Sequence, residues 1–444
     1  MALTGLDIYK LLPKTNCKDC GFATCLAFAM ALAQKKVSLD KCPHVTLKAK
    51  EALESASQPP IKLVTIGAGE RKLEMGNETV MYRHEQKFYH PTGIGFLIED
   101  TLERDEIKEA ASKINSLSFE RVGQTIKADL VCIKNSSNDK DKFIEAVLSV
   151  ISNCGLNIAL YSDDAAKILD ALKICKDKRP LIICPDGAKL NEFVKIAKEN
   201  AVPVAVTFTN IEDAPALADE AKKGGVEEIV LGIKQESLWK RIQESALIRR
   251  TALKKNFRPL GFPVMIFTAN VTADLELPEA VSYVAKYISL VMVKNIEKDF
   301  VFPLLVARQD IYTDPQKPVQ VEPKIYEIGK VTKDSPILVT TNFSITYFTV
   351  AGEVEASKVP TYIICCDAEG MSVLTAWAAE KFTAEKIAQM LKTCGIEDKV
   401  PHRKVVIPGY VSVLSGKLEE LSGWTVEVGP REASGLPAFL KGWK

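Results

Sequence analysis

Residues 128–163, ADLVCIKNSSNDKDKFIEAVLSVISNCGLNIALYSD, decide the fold. A continuous apolar run from Ala128 (ADLVCIKN) leads into a charged stretch of helical period, DKDKFIEAVLSVISNC, and a second apolar run begins at Asn157 (NIALYSD). Unbroken apolar strands that alternate with such helices belong to a parallel sheet covered by its helices. The same unit recurs on both sides. Upstream lies Gly93-Ile94-Gly95-Phe96-Leu97-Ile98. Downstream lie PLIICPD from Pro180, VPVAVTFT from Val202, EIVLGI from Glu228, PVMIFTA from Pro263 and LVMVKN from Leu290. Eight runs between Gly93 and Asn295 fit a closed (β/α)8 TIM barrel better than an open sheet, with a doubly wound sheet as the alternative.

The flanks differ from this rhythm. Glu54 to Lys62 (ESASQPPIK) is small, polar and proline-containing, the composition of a linker. Residues 63–91 read as a hairpin, KLVTIGAG and ETVMYRHE around Met75, Gly76 and Asn77, placed to close the bottom of the barrel. Asp310 to Pro336 carries Pro315, Pro318 and Pro323 and no helical period, so a second linker or a strap is expected there. Beyond it ILVTTNF from Ile337, TYIICCD from Thr361, KVVIPGY from Lys404 and TVEVGP from Thr425 alternate with helical stretches, the pattern of a small open, Rossmann-like α/β domain. The expected division is 1–57 for a cysteine-rich domain, 58–92 for linker and hairpin, 93–320 for the barrel and 321–444 for the last domain. A chain of 444 residues suits about three domains.

Composition narrows the function classes. With 58 Lys+Arg against 57 Asp+Glu, the formal net charge of +1 gives no basic surplus for a nucleic-acid backbone. No apolar run approaches a membrane span, and the N-terminus lacks the pattern of a secretory leader. Eleven cysteines, an odd number, then argue for a reducing cytoplasm and against a disulfide framework.

Four of these cysteines are concentrated near the start. Cys17, Cys20, Cys25 and Cys42 have the spacing C-x2-C-x4-C-x16-C, and Pro43 follows the last. A structural zinc site usually joins two C-x2-C knuckles, and only one is present. Three grouped cysteines and a distant Cys-Pro suit the three-plus-one ligation of a 4Fe-4S cluster better, with zinc as the alternative. CLAFAMALAQ from Cys25 reads as an amphipathic helix beside that centre. A radical-SAM site is excluded, because it expects C-x3-C-x2-C at the first barrel strand. The other seven cysteines lie in apolar strands or at helix ends and read as small buried hydrophobes.

In an open α/β domain a ligand sits beyond the carboxyl ends of the strands. Those ends here are rich in Gly, Ser, Thr and Ala around Thr340, Gly370, Ser372, Gly409 and Ser434, which permits close backbone approach to a large flat or phosphate-bearing ligand. Ordinary turn chemistry explains the same composition.

The cysteine motif, the stretch ETVMYRHEQKFYHPTG, the eight-unit barrel and the tail TYIICCDAEGMSVLTAWAAEKF together resemble the large (gamma) subunit of the corrinoid iron-sulfur protein of the reductive acetyl-CoA pathway, over essentially the full chain. The resemblance implies a methyl carrier of a transferase system and not a stand-alone catalyst. Such a carrier accepts methyl from methyltetrahydrofolate through a separate methyltransferase, cycles between Co(I) and methyl-Co(III), and delivers methyl to acetyl-CoA synthase. It implies one 4Fe-4S cluster on Cys17, Cys20, Cys25 and Cys42, which reductively reactivates Co(II), and a small barrel subunit completing a heterodimer. It also implies a cobamide held by Thr340, Thr346, Gly370, Met371, Ser372, Val373 and Ala433, to which the strand-end argument adds Gly409, Tyr410 and Gly435.

Many cobalamin-binding proteins carry a D-x-H-x-x-G motif whose histidine ligates cobalt from below. This chain has only His44, His84, His90 and His402, none in that motif. A base-off cobamide with no protein histidine on cobalt is expected, since a weak lower ligand eases access to Co(I). Glu99, Asp100, Asp163, Asp164, Asp186 and Asn295 lie at the ends of barrel strands and read mostly as helix caps. Two other functions compete: a pterin-dependent barrel methyltransferase with a structural cluster, and a corrinoid-free electron-transfer protein.

Overall fold

The computed structural model describes residues 5–33, 37, 39–46, 59–86, 88–269, 272–314 and 318–443. The linker expected at 54–62 lies outside the described residues as far as position 58. The chain forms two compact units, Met1–Ser118 with Lys127–Tyr312, and Phe119–Ile126 with Thr313–Lys444.

In the first unit, β1 (Val64–Ile66) pairs antiparallel with β2 (Leu73–Met75). Val64, Ile66 and Met75 are buried in one cluster with Leu130, Leu181 and Leu290 from the starts of barrel strands, so the hairpin plugs the amino end of the barrel. The second arm expected for that hairpin, ETVMYRHE, forms no strand. Glu78 makes only an isolated bridge to Ile61, and the carbonyls of Val80 and Met81 accept from the Arg249 guanidinium at 2.8 and 3.3 Å. The Arg249 guanidinium thus supplies this segment with donors that a neighbouring strand would otherwise provide.

The barrel consists of β3 (Gly93–Glu99), β6 (Leu130–Lys134), β7 (Asn157–Tyr161), β8 (Leu181–Cys184), β9 (Val204–Phe208), β10 (Ile229–Ile233), β11 (Val264–Phe267) and β12 (Leu290–Val293). All neighbours are parallel and the sheet is closed, as the eight apolar runs imply; the doubly wound alternative does not apply to this unit. Inward residues such as Cys132, Ala159, Ile183 and Val230 share one core. Their outward neighbours Val131, Ile158, Ile182 and Leu231 are equally buried beneath the helices, which is why these strands read as continuous apolar runs.

The seam lies between the last strand and the first, with Leu290 opposite Gly93 and Val293 opposite Phe96. Arg308, on the final barrel helix Lys298–Tyr312, braces it. Its guanidinium donates to the carbonyls of Thr92 (3.2 Å) and Lys127 (2.8 Å) and pairs with Asp129, whose carboxylate accepts the amide of Ile94 at 2.8 Å. That helix includes Asp310, Ile311 and Tyr312, so the expected strap cannot begin at Asp310 and is confined to the stretch nearer its prolines.

Two further elements escaped the periodicity. A hairpin of β4 (Ser118–Arg121) and β5 (Gln124–Lys127) turns through Val122 and Gly123, both left-handed at φ 53° and 72°. A β-branched residue is rare there, which hid the turn. Within the expected strap, β13 (Ile325–Ile328) pairs antiparallel with β15 (Thr361–Cys366).

The second unit is a five-stranded sheet in the order β13, β15, β14 (Ile337–Thr341), β16 (Lys404–Ile407), β17 (Thr425–Val428). Alternate residues face opposite cores. Ile337, Val339, Ile364 and Val405 pack with Phe382 and Trp424, whereas Leu338, Ile363 and Val406 pack with Val354 and Leu440. From β14 the chain passes to β15 on one side and then crosses to β16 on the other. The carboxyl ends of β14 and β16 therefore flank a topological switch point, where such sheets open a crevice. Among the described residues no helix is long and apolar enough to cross a membrane.

Replacing Arg308 by Met should cost about 3 kcal/mol, because it leaves the Asp129 carboxylate and two carbonyls without their donor. Arg308→Lys should recover only part of the loss. Urea unfolding followed by circular dichroism measures both, and an unchanged midpoint for Arg308→Met would contradict the bracing role.

Candidate functional site

The cysteine-rich segment builds its own small core. The helices Gly5–Leu11 and Cys25–Ala33 bring Ile8, Leu12, Phe28 and Ala29 together with Cys25 and Cys42, and Cys20 packs against them. Cys17 is exposed. The second helix, expected to be amphipathic, is apolar all round: Phe28 and Ala29 are buried while Leu26 and Met30 face solvent.

The loop between these helices has an unusual backbone. Lys14, Asn16 and Lys18 have φ of 61°, 48° and 69°, and Gly21 has 82°. Each non-glycine residue so placed costs about 1 kcal/mol, and such strain collects at ligand clamps. Alternation of handedness also gathers successive amides into an anion-binding concavity, as at many iron-sulfur sites. The amide of Asn16 donates to the Cys25 sulfur at 3.4 Å, and its side-chain oxygen accepts the Cys25 amide at 2.8 Å. Beside the exposed thiol, Asp19 and His44 are bonded at 2.6 Å, and one ligand atom from each of Cys17, Asp19 and His44 lies within 4.8 Å of the others. Hydrogen bonds from His44 and then Cys17 hold the Asp19 carboxyl below its ordinary range. Cys17 thus belongs both to the four-cysteine sequence motif and to a thiol-carboxylate-imidazole group that meets at ligand spacing.

The remaining cysteines suit neither. Burial pushes the thiols of Cys175 and Cys365 up to about 12 and that of Cys184 up to about 11, and it raises Cys132, Cys154, Cys366 and Cys394 as well. Thiols held protonated in apolar surroundings are poor metal ligands.

At the switch point of the second unit lies a cavity of about 240 Å³. Of the residues expected at a cofactor, Thr340, Thr346, Val373, Tyr410 and Ala433 line it. Gly370, Met371, Ser372, Gly409 and Gly435 belong to the same strand-end loops without lining the cavity. The amide of Gly370 donates to Asn342 at 3.1 Å, Met371 packs against the core, and the Ser372 hydroxyl meets that of Thr375 at 3.0 Å. Gly409 has a packing reason: a Cβ there would lie 2.6 Å from the Gly429 carbonyl and 2.8 Å from the Arg431 amide, so only glycine lets the two loops meet. Gly435 packs as tightly on Pro430.

Three hydroxyls, of Thr340, Thr341 and Ser344, are buried without a hydrogen-bond partner among the described residues, and Thr340 faces the cavity. Burying a hydroxyl unpaired is costly, so this group marks a place for a ligand. The segments after β14, β15 and β16 also expose Ile345 (63 %), Leu374, Trp377 and Val413 (70 %), an apolar rim that sequence alone does not reveal. Thr349 and Arg431 were missed too; they line the cavity by lying one helical turn beyond Thr346 and two residues past Gly429. Tyr410 bonds Glu432, which raises its phenol above the ordinary range. The only histidine of this unit, His402, sits at the amino end of β16. Its ring nitrogens engage the Ser335 carbonyl at 3.0 Å and the Lys404 amide at 3.1 Å.

In the barrel, Asp164 and Asp186 accept amides at helix starts, as expected of caps. Asp100 does not cap the helix that follows it, a role taken by Glu103. It is buried and accepts the amides of Ser136 and Ser137 at 2.8 and 2.7 Å.

The family model described as "CO dehydrogenase/acetyl-CoA synthase delta subunit" matches residues 63–440, and one described as "Putative Fe-S cluster" matches residues 12–44. The chain is 45% identical over 441 residues to the corrinoid/iron-sulfur protein large subunit of Moorella thermoacetica, covering 99% of each chain. It is 34% identical over 468 residues to the acetyl-CoA decarbonylase/synthase complex subunit gamma of Methanocaldococcus jannaschii, covering 99% of this chain and 96% of that one. Among solved structures, dihydropteroate synthase from Thermus thermophilus aligns with 55% of this chain and 98% of its own at 16% identity and a TM-score of 0.39.

Single Cys→Ala substitutions at Cys17, Cys20, Cys25 and Cys42 should each remove most of the iron bound after anaerobic purification, while Cys184→Ala and His44→Ala leave it unchanged. Iron analysis by mass spectrometry decides between the ligand sets: loss with His44→Ala and retention with Cys25→Ala would favour the mixed one.

Proposed function

The chain belongs to the family of corrinoid/iron-sulfur protein large subunits and CO dehydrogenase/acetyl-CoA synthase subunits, and on that basis we propose that it is a methyl carrier with two cofactor sites. The observation that carries this reading is the switch-point cavity, lined by Thr340, whose buried hydroxyl is unpaired among the described residues, and by the exposed Ile345, with Trp377 and Val413 exposed on neighbouring strand-end segments. Those features fit a large, partly apolar cofactor with polar appendages.

In this reading Thr340, Thr346, Val373, Tyr410 and Ala433 hold a cobamide, and the tight contact of Gly409 with the Gly429 loop keeps the crevice shaped for it. A bound cobamide supplies a low-valent cobalt able to accept and give up a methyl group. The lining residues orient it, and Ile345, Trp377 and Val413 exclude water. Both His402 nitrogens are engaged at the opposite ends of the strands, which supports a cofactor that would be held without protein imidazole.

The thiols of Cys17, Cys20, Cys25 and Cys42, with the strained loop around them, suit one 4Fe-4S cluster, which supplies single electrons for reactivating oxidised cobalt. Methyl arrives from methyltetrahydrofolate through a separate methyltransferase and leaves for acetyl-CoA synthase, with a small subunit as the constant partner and the cytoplasm as the compartment. Against the pterin-dependent methyltransferase reading, Asp164 and Asp186 at the strand ends cap helices and Asp100 braces a loop.

The decisive assay mixes the cobamide-loaded chain and its small subunit with labelled methyltetrahydrofolate, with and without a methyltransferase. Label should reach the chain only when the methyltransferase is present; equal labelling without it would establish the barrel as the catalyst. Thr346→Trp should fill the cavity and abolish cobalt retention while leaving iron unchanged, and full cobalt retention would place the cofactor elsewhere. The Co(II) EPR spectrum should lack coupling to an imidazole nitrogen.

A further inference from the structure

At the carboxyl end of the barrel a second cavity, of about 300 Å³, opens among residues to which the carrier function gives no role. Gly232 is among its lining residues, and Thr207 packs against it too closely for any side chain there. Gly232 lies within β10 with Thr207 and Met265 as strand neighbours, and a Cβ there would lie 2.7 Å from the Thr207 methyl. Glycine inside a strand weakens it and marks a place where something else approaches the backbone. The floor is apolar and aromatic: Leu97, Met265 and Met292 lie with Tyr161 and Phe267, whose rings are 5.6 Å apart.

The rim is cationic. Lys134, Lys234 and Lys294 line it against Glu99 and Glu236. Lys134 is 3.2 Å from Glu99 and 5.7 Å from the centre of the Tyr161 ring, and Lys234 donates to the Pro185 carbonyl at 3.3 Å. Burial and the nearby Asp163 push the Tyr161 phenol up to about 12, so it remains a donor at neutral pH.

Beneath the rim, a buried polar network fixes the loops. Arg241 donates to the Phe267 carbonyl at 3.2 Å, bonds the Gln235 carbonyl and pairs with Glu279 at 2.8 Å. Glu279 also accepts the Ala269 amide at 3.0 Å. Glu276 accepts the Thr268 hydroxyl at 2.7 Å and the Lys294 amide at 2.7 Å. Arg241, Glu276 and Glu279 are all buried. Two buried carboxylates and a guanidinium holding three strand-end loops is more than closing a barrel requires, and rigid supporting polar groups are how binding sites are held in shape.

We propose that this mouth binds an aromatic carboxylate, its ring on the Tyr161–Phe267 floor and its charge toward Lys234 and Lys294. Cavity size, apolar floor and a few convergent polar groups are the general features of a small-molecule site, at the face where barrels place theirs.

The test titrates the full chain, loaded with its cofactors, with 2-naphthoate and with neutral 2-naphthamide by equilibrium dialysis. Saturable binding of one naphthoate is expected, about tenfold tighter than naphthamide and weakened about tenfold or more by Lys234→Ala with Lys294→Ala, as removal of a charged partner implies. Both lysines are exposed, so this variant should keep its fold, which circular dichroism verifies. Lack of saturation by about 10 mM, equal affinity for the amide, or undiminished binding by the double variant would each overturn the proposal.

Discussion

A ring of parallel strands exists only if its last strand finds its first, and here the ladder between β12 and β3 is reinforced by one guanidinium from the helix that follows β12. Arg308 ties the carbonyls of Thr92 and Lys127 and the Asp129 carboxylate, so the backbone entering β3 and β6 is held by the helix that follows β12. Closure leaves no edge, and all eight strands can then be apolar on both faces. The plug of Val64, Ile66 and Met75 seals the amino end, leaving the carboxyl end to open into a cavity.

The second unit solves a different problem with the same alternation. Ile363 and Ile364, adjacent in sequence, feed opposite cores, so one short sheet supports helices on both faces. Its strand order reverses at β14, and the crossover leaves a crevice between Thr340 and Pro408 that no side chain among the described residues of the unit fills. An unpaired buried hydroxyl is tolerable there if the native state includes a ligand. The amino-terminal segment achieves something comparable without a sheet, using backbone strain at Lys14, Asn16 and Lys18 to set its thiols around a small core.

Much of this was legible because it is local. Apolar runs of period one or two mark strands, and C-x2-C-x4-C stands out as a motif before any fold is known. Thr346, Val373 and Ala433 came from family resemblance, and the cavity brings them together. What stayed hidden depends on distant pairings. β13 is an edge strand only because β15 lies beside it, and its flanking prolines made it read as strap. Val122 occupies a conformation that its side chain disfavours, which concealed a hairpin. The apolar rim from Ile345 to Val413 draws on three loops, so no single stretch of sequence displays it. Gly232 reads as an ordinary strand glycine until Thr207 and Met265 are placed against it.

On the proposed reading, one chain carries two separate metal centres in these two places. Anomalous diffraction from crystals of the anaerobically purified, loaded chain, recorded at the iron and cobalt edges, tests it most directly. Iron within bonding distance of Cys17, Cys20, Cys25 and Cys42, and cobalt over the cavity lined by Thr340, Thr346 and Tyr410, is the expected result. Cobalt in the mouth of the barrel, or iron held by Cys17, Asp19 and His44, would contradict it.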